Sequence, residues 1–266
     1  MASTDPENHE TDDDAGYHLW SDLRLGTAFL TRLPLDLTEA ESGRKLADVA
    51  WTFPVVGALV GLASGAALWV GLWLGLDPLA AALLAVAAAV LLTGGLHEDG
   101  LADTADGFGG GKDKADKLRI MDDPTMGAFG VLALIIAVGL RSAIVAGMVG
   151  PGTAFTAVIG AAIGSRAAMP VLMYFLKPAK RDGLGAGAGK PNRAETLISA
   201  LIGGVGMLLV LGAVPGAAGL IAAAAAFVAI SGTARRHIGG FTGDVLGALQ
   251  QVTEIFILAA VATATV

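Results

Sequence analysis

Seven runs of apolar residues dominate this sequence, each about long enough to cross a hydrocarbon core of ~30 Å at about 1.5 Å per helical residue. They fall near 51–74, 79–96, 128–148, 154–176, 195–213, 216–232 and 244–264, and the sixth is the shortest and weakest. Only 15% of the 266 residues are charged, where a soluble domain carries about a quarter. Much of the surface must therefore face lipid. The expected fold is an all-α polytopic membrane protein with about seven transmembrane helices. Ala and Gly fill the runs, and the 38 glycines predict close helix packing, because small residues let backbones approach. The absence of cysteine excludes a disulfide scaffold, a thiolate zinc site and a Cys nucleophile.

Turn signals separate the runs. Asp77-Pro78, Gly150-Pro151-Gly152 and Pro215-Gly216 make very short connections without a basic residue, whereas 97–127, 177–194 and 233–243 are longer and charged. Arg141 and Arg166 lie inside runs. With an odd number of spans and a cytoplasmic N-terminus, all 15 other basic residues fall on one side, and the positive-inside rule makes that side cytoplasmic. The expected location is the inner membrane, with the polar chemistry on the cytoplasmic face. Residues 1–19 hold six of the 24 acidic residues and no Lys or Arg, leaving 18 acidic beside 17 basic residues in the rest. This segment is expected to be a disordered acidic tail, not a signal peptide, and residues 20–266 a single membrane domain. Trp20, Leu23, Phe29, Leu30 and Leu33, interleaved with Asp22, Arg24 and Arg32, predict an interfacial amphipathic helix, with a second one around 39–50. No basic patch suggests nucleic-acid binding. The sequence is compatible with a homo-oligomer.

The chemistry concentrates in 94–130, GGLHEDGLADTADGFGGGKDKADKLRIMDDPTMGAFG. If the helix of the second run continues, Asp99, Asp103 and Asp106 recur at i, i+4 and i+7 and share a face. Three like charges on one stripe repel, and near lipid each also loses hydration, at about 2.5–3.5 kcal/mol at a bilayer centre. A hard divalent cation such as Mg²⁺ would compensate, with oxygen ligands and substrate phosphates completing its shell. Gly100, Ala102, Thr104, Ala105 and Gly107 fill the gaps, leaving room for a ligand or a neighbouring helix.

Neither Gly107–Lys112 nor Gly183–Lys190 has the spacing of a phosphate-binding P-loop; both are expected to be flexible loops over substrate. Lys112, Arg119, Lys177 and Arg181 are candidates for binding substrate phosphates among basic residues that otherwise anchor the inner face. A basic group within a span is functional or paired with a carboxylate. Arg166 is expected to order the site or substrate, and Asp244 and Glu254 are candidate partners for Arg141 and Arg166. His97 and His237 are candidates for substrate contact or proton handling.

Several stretches resemble the cobalamin synthase family, the adenosylcobinamide-GDP ribazoletransferases: FLTRLPL (29–35), FPVVGALVGL (53–62), GGLHEDGLADTADGFGG (94–110), KLRIMDDPTMGAFG (117–130), SRAAMP (165–170) and TGDVLGA (242–248). They run in the family's order and cover nearly all of the chain beyond the tail. The resemblance implies Mg²⁺-dependent transfer of the cobinamide phosphate of adenosylcobinamide-GDP to a ribose hydroxyl of α-ribazole or its 5′-phosphate, with release of GMP. It implies that Glu98, Asp99, Asp103 and Asp106 are the acidic catalytic and metal set, with Glu98 or Asp106 accepting the hydroxyl proton, and places Asp244 in a second motif. Asp122-Asp123-Pro124-Thr125 departs from the family's usual Lys/Ser-containing tract before Gly127. Asp103 to Gly107 also looks like part of the CDP-alcohol phosphotransferase signature, but Gly109-Gly110 replace its later residues. A transporter is the alternative from another class; it would place polar groups at mid-membrane on several helices.

Overall fold

The computed structural model describes residues 12–180 and 183–265. Among them the chain is helical, with one isolated bridge between Pro178 and Phe241. Helix α1 (Asp12–Leu30) is followed by a single turn, α2 (Glu39–Ser42), and a 3-10 helix (Leu46–Thr52). The long helices are α3 (Phe53–Trp73), α4 (Pro78–Thr93), α5 (Leu96–Gly110), α7 (Ala128–Ala146), α8 (Pro151–Phe175), α10 (Arg193–Leu211), α11 (Ala213–Ile238) and α12 (Gly243–Ala264). Two short ones, α6 (Lys114–Met121) and α9 (Leu184–Gly187), lie in the connections.

Among the described residues six helical stretches are long and apolar enough to cross a membrane, and a seventh span exists if α4 and α5 are counted as one broken span. The polytopic all-α fold is thus present, with two differences in detail. The sixth run, weakest in the sequence, forms the 26-residue α11, because its centre is rich in Ala and the helix continues through Ala234, Arg235 and Arg236, which also favour helix. The second run does not continue into the acidic segment. Helix α4 stops at Thr93 after 16 residues, about 24 Å, and α5 sets off at 93° to it. Gly94 and Gly95 make the corner with φ of +67° and +72°, a left-handed pair that glycine adopts without a steric cost. A Cβ on Gly94 would also strike the Arg32 side chain at 2.2 Å.

Helix α8 is the centre of the bundle, packed by α3, α10 and α12. A Cβ on Gly57 would lie 2.4 Å from the Ala162 carbonyl oxygen, and one on Gly61 2.7 Å from Ile159 Cα. The α3–α8 contact therefore depends on glycine, as the composition led one to expect. Outward-facing Trp73, Leu91, Leu209 and Ile221 stay exposed, which suits a surface solvated by lipid.

The amphipathic N-terminal helix packs its Leu25 and Leu30 inward and leaves Leu19 and Trp20 outside. It begins at Asp12, so part of the stretch expected as an acidic tail is helical; residues 1–11 lie outside the described residues. Asp22 fastens α1 to the 3-10 helix and the turn before it, accepting from Trp51 Nε1 at 2.9 Å and pairing with Arg44 at 2.6 Å.

Candidate active site

Helix α5 carries the acidic motif. Asp99 is exposed, Asp103 half-buried and Asp106 buried, so the stripe sinks into the fold as the helix proceeds. The small residues between them admit neighbouring helices. A Cβ on Gly100 would meet Asp244 Cα at 2.9 Å, and one on Gly247 would meet the His97 carbonyl oxygen at 3.0 Å. This close crossing of α5 and α12 brings Asp244 beside the stripe. On the other flank Gly107 packs against the Lys117 carbonyl, where a Cβ would come within 2.9 Å, which seats α6 and its C-terminal Asp122.

Asp103 sits among like charges: Asp99, Asp244, Asp106 and Asp122 all act on it. Lys180 answers part of this negative charge by bonding Asp122 and acting on Asp244. Asp244 also accepts a hydrogen bond from Thr242 Oγ1 at 3.0 Å. Asp122 and Lys180 were not among the expected site residues. Asp122 stands where the acidic tract departs from the family pattern, which was the available signal.

Two of the expected catalytic carboxylates are engaged elsewhere. Asp106 caps helix α7: its Oδ2 accepts from Gly127 N at 2.7 Å and its Oδ1 from Gly130 N at 2.9 Å. These are orphan donors of a helix N-terminus, and a carboxylate also favours the positive end of the helix dipole. Gly127 and Gly130 admit it, since a Cβ on either would come within 2.5 Å of a carboxylate oxygen. Glu98 points away from the stripe into the bundle. Its Oε1 pairs with Arg141 at 3.1 Å and accepts from Gln251 Nε2 at 2.9 Å. Arg141 reaches Glu254 at 3.3 Å, and Arg166 lies 3.9 Å from the same carboxylate. Glu98, Arg141, Glu254 and Arg166 thus form a charge-balanced quartet, extended by Gln251, which accepts from Arg141 at 2.7 Å, and by Gln250, which donates to Ser165 at 3.0 Å.

Arg166 therefore joins the quartet, and the structure does not bring it to the aspartates. Of the two carboxylates expected to pair with the buried arginines, Glu254 does so and Asp244 does not. Lys112 and Lys177 are exposed, and Arg119 pairs with Asp116 one turn earlier at 2.7 Å. Arg181 lies outside the described residues. Gly107–Gly110, expected to be a loop, forms the last turn of α5. His237 stacks on Phe108 with ring centroids 4.5 Å apart. His97 is buried, with Nε2 lacking a hydrogen-bond partner. It lines a cavity together with Asp99 and Asp244. Among the described residues no three His, Asp or Glu side chains converge as the ligands of a metal ion would.

The sequence profile described as cobalamin-5-phosphate synthase matches residues 22–262. The chain belongs to that family. Curated relatives carry the name adenosylcobinamide-GDP ribazoletransferase. The one from Bradyrhizobium diazoefficiens is 42% identical over 238 residues, 90% of this chain and 92% of the relative. That from Mesorhizobium japonicum is 42% identical over 237 residues, 89% and 91% of the two chains. That from Azorhizobium caulinodans is 43% identical over 247 residues, 90% and 94%. No solved structure matches. The family membership expected from the motifs is established, and α5 and the start of α12, which carry two of those motifs, are the elements that build the aspartate cluster.

Proposed function

We propose that this protein is the transferase that moves the adenosylcobinamide phosphate group of adenosylcobinamide-GDP to α-ribazole or its 5′-phosphate. The observation that carries this reading is the aspartate cluster: Asp99 and Asp103 one turn apart on α5, with Asp244 and Asp122 brought beside them, in a chain whose relatives bear the name of that reaction. A ribose hydroxyl oxygen of the acceptor bonds to the phosphorus of the cobinamide phosphate, the phosphoanhydride bond breaks, and GMP leaves. Such a transfer needs positioning and charge neutralisation more than a protein nucleophile.

Glu98 is committed to Arg141 and Gln251, and Asp106 to the N-terminus of α7. The hydroxyl proton therefore goes to Asp99, which is exposed and lines the cavity. Asp103 and Asp244 are the oxygen donors that would hold Mg²⁺. Their chemistry fits a hard cation, and Mg²⁺ is commonly bound through one or two carboxylates plus substrate phosphates, without a full protein cage. When bound, the ion supplies neutralisation of the diphosphate and of the leaving group. Asp106 orders the start of α7, and Lys180 holds Asp122 in place.

We assign the site to the cytoplasmic face of the inner membrane. The supporting observations are the seven-span count with the bent pair included and the position of 15 of the 17 basic residues outside the apolar runs, on the side of the N-terminus. Purified protein given adenosylcobinamide-GDP, α-ribazole 5′-phosphate and Mg²⁺ is expected to release GMP and form adenosylcobalamin 5′-phosphate. Chelation is expected to stop the reaction and added Mg²⁺ to restore it. Release of CMP from a CDP-linked donor, with no GMP from adenosylcobinamide-GDP, would overturn the assignment.

A further inference from the structure

The cavity beside the aspartates has an unusual lining for a phosphate-transfer site. Phe29 and Phe53 stack at 6.4 Å with their planes 24° apart, and Met169 and Met173 face in from α8. Phe53, Met169 and Met173 are almost wholly buried, and so is His97. Against these apolar walls His97 leaves Nε2 without a partner. Asp99 and Asp244 complete the lining. A buried imidazole nitrogen with no partner costs free energy unless a ligand supplies the missing hydrogen bond. The site thus asks for a flat apolar ring system with one polar atom, carried by a group that reacts near the carboxylates.

We infer that this cavity is the subsite for the benzimidazole base of the ribazole acceptor, with His97 Nε2–H donating to the free ring nitrogen. The inference rests on the transferase reading above and extends it by dividing the two substrates between places. Four ring systems enter that reaction: guanine, the adenine of the adenosyl group, the corrin and the base of ribazole. Guanine carries a lactam, an exocyclic amine and several ring nitrogens. Most of them would lose water here and find no partner, a penalty that grows with each unpaired group. Adenine, with an exocyclic amine and three free ring nitrogens, fares no better than guanine. The corrin of adenosylcobinamide is fringed with amides and meets the same objection. Benzimidazole exposes fused apolar rings and a single acceptor nitrogen once its other nitrogen bears the ribose. Its faces suit the Phe29–Phe53 wall, and sulfur from Met169 and Met173 suits aromatic edges. The aspartates at the same cavity then lie next to the ribose, where the attacking hydroxyl is.

The test measures each substrate separately on full-length protein in detergent. α-Ribazole binding is measured without donor by equilibrium dialysis, with GDP as the comparison ligand. His97→Ala is expected to weaken α-ribazole binding about five- to tenfold, the worth of one neutral hydrogen bond, and His97→Gln to recover part of it. Ala188→Phe, which fills the cavity from a loop outside the long helices, is expected to raise the acceptor KM more strongly, with the KM for adenosylcobinamide-GDP unchanged. Loss of GDP binding instead would place guanine in the cavity, and loss of donor binding with GDP binding intact would place the corrin or the adenine there; either would overturn the inference, as would unchanged α-ribazole binding in both His97→Ala and Ala188→Phe. A wild-type protein that binds α-ribazole as described but releases no GMP from the donor would remove the transferase reading and keep the base subsite. Normal turnover with an unchanged acceptor KM in both variants would do the reverse.

Discussion

Glu98 and Asp99 are adjacent in sequence and have opposite surroundings. Glu98 faces the bundle, where Arg141 and Gln251 meet its carboxylate at 3.1 and 2.9 Å. Asp99 faces the cavity and, with Asp103, Asp244 and Asp122, belongs to a group whose negative charge exceeds what Lys180 supplies. One helix thus carries a balanced acidic face and an unbalanced one about 100° apart, the angle between successive residues. Balance holds helices together; imbalance leaves a demand for an external cation and phosphate. The comparison separates residues expected to govern folding from residues expected to govern turnover.

The largest effect is expected from breaking the balanced face. Arg141→Ala strands Glu98 in the bundle and leaves Glu254 with Arg166, at 3.9 Å, as its remaining guanidinium. Removing one partner of a buried pair costs about 3–5 kcal/mol, so thermal unfolding in detergent is expected to shift far down or the protein to fail to accumulate. Unchanged stability would show that the quartet does not hold the bundle. Next comes Asp103→Ala on the unbalanced face. Turnover is expected to fall about 10²–10³-fold, typical of losing one electrostatic group at a reacting centre, while the unfolding temperature stays or rises, because a repelling charge has gone. Near-normal GMP release would remove Asp103 from the site. Asp106→Ala belongs to neither face. Loss of this cap is expected to cost about 0.5–2 kcal/mol, read as a modest loss of stability with a smaller fall in turnover than for Asp103→Ala. The smallest effect is expected from Arg119→Ala, whose pair with Asp116 is screened by solvent and contributes little to stability. A large loss of activity there would show that Arg119 touches substrate.

The apolar runs made the bundle legible because lipid allows few alternatives to long helices. The acidic stripe was legible because i, i+4 and i+7 share a face whichever helix carries them. The corner at Gly94-Gly95 was not anticipated. The apolar pattern ends close to it, so the acidic helix looked like a continuation, although two successive glycines were the available sign of a break. The split between Glu98 and Asp99 was not readable either. Both are short acids in the same motif, and what distinguishes them is Arg141 and Gln251, distant in sequence and near only in the fold. Asp106 is similar: its role as a cap is defined by Gly127 and Gly130, glycines that supply no capping side chain of their own. Glu254 was expected to neutralise a buried arginine and does. Asp244, on the first turn of α12, is too near the helix end to reach Arg141 in the second half of α7.

The order in which the quartet's members are synthesised matters for biogenesis. Ribosomes deliver Glu98, Arg141 and Arg166 well before Glu254, which lies on the last helix. Until α12 arrives, the nascent bundle holds two guanidinium groups and a single carboxylate, a state that lipid tolerates poorly. Arrival of α12 thus closes the electrostatic circuit, and a product truncated before Glu254 would leave the insertion machinery with a charge-exposed intermediate for quality control to remove.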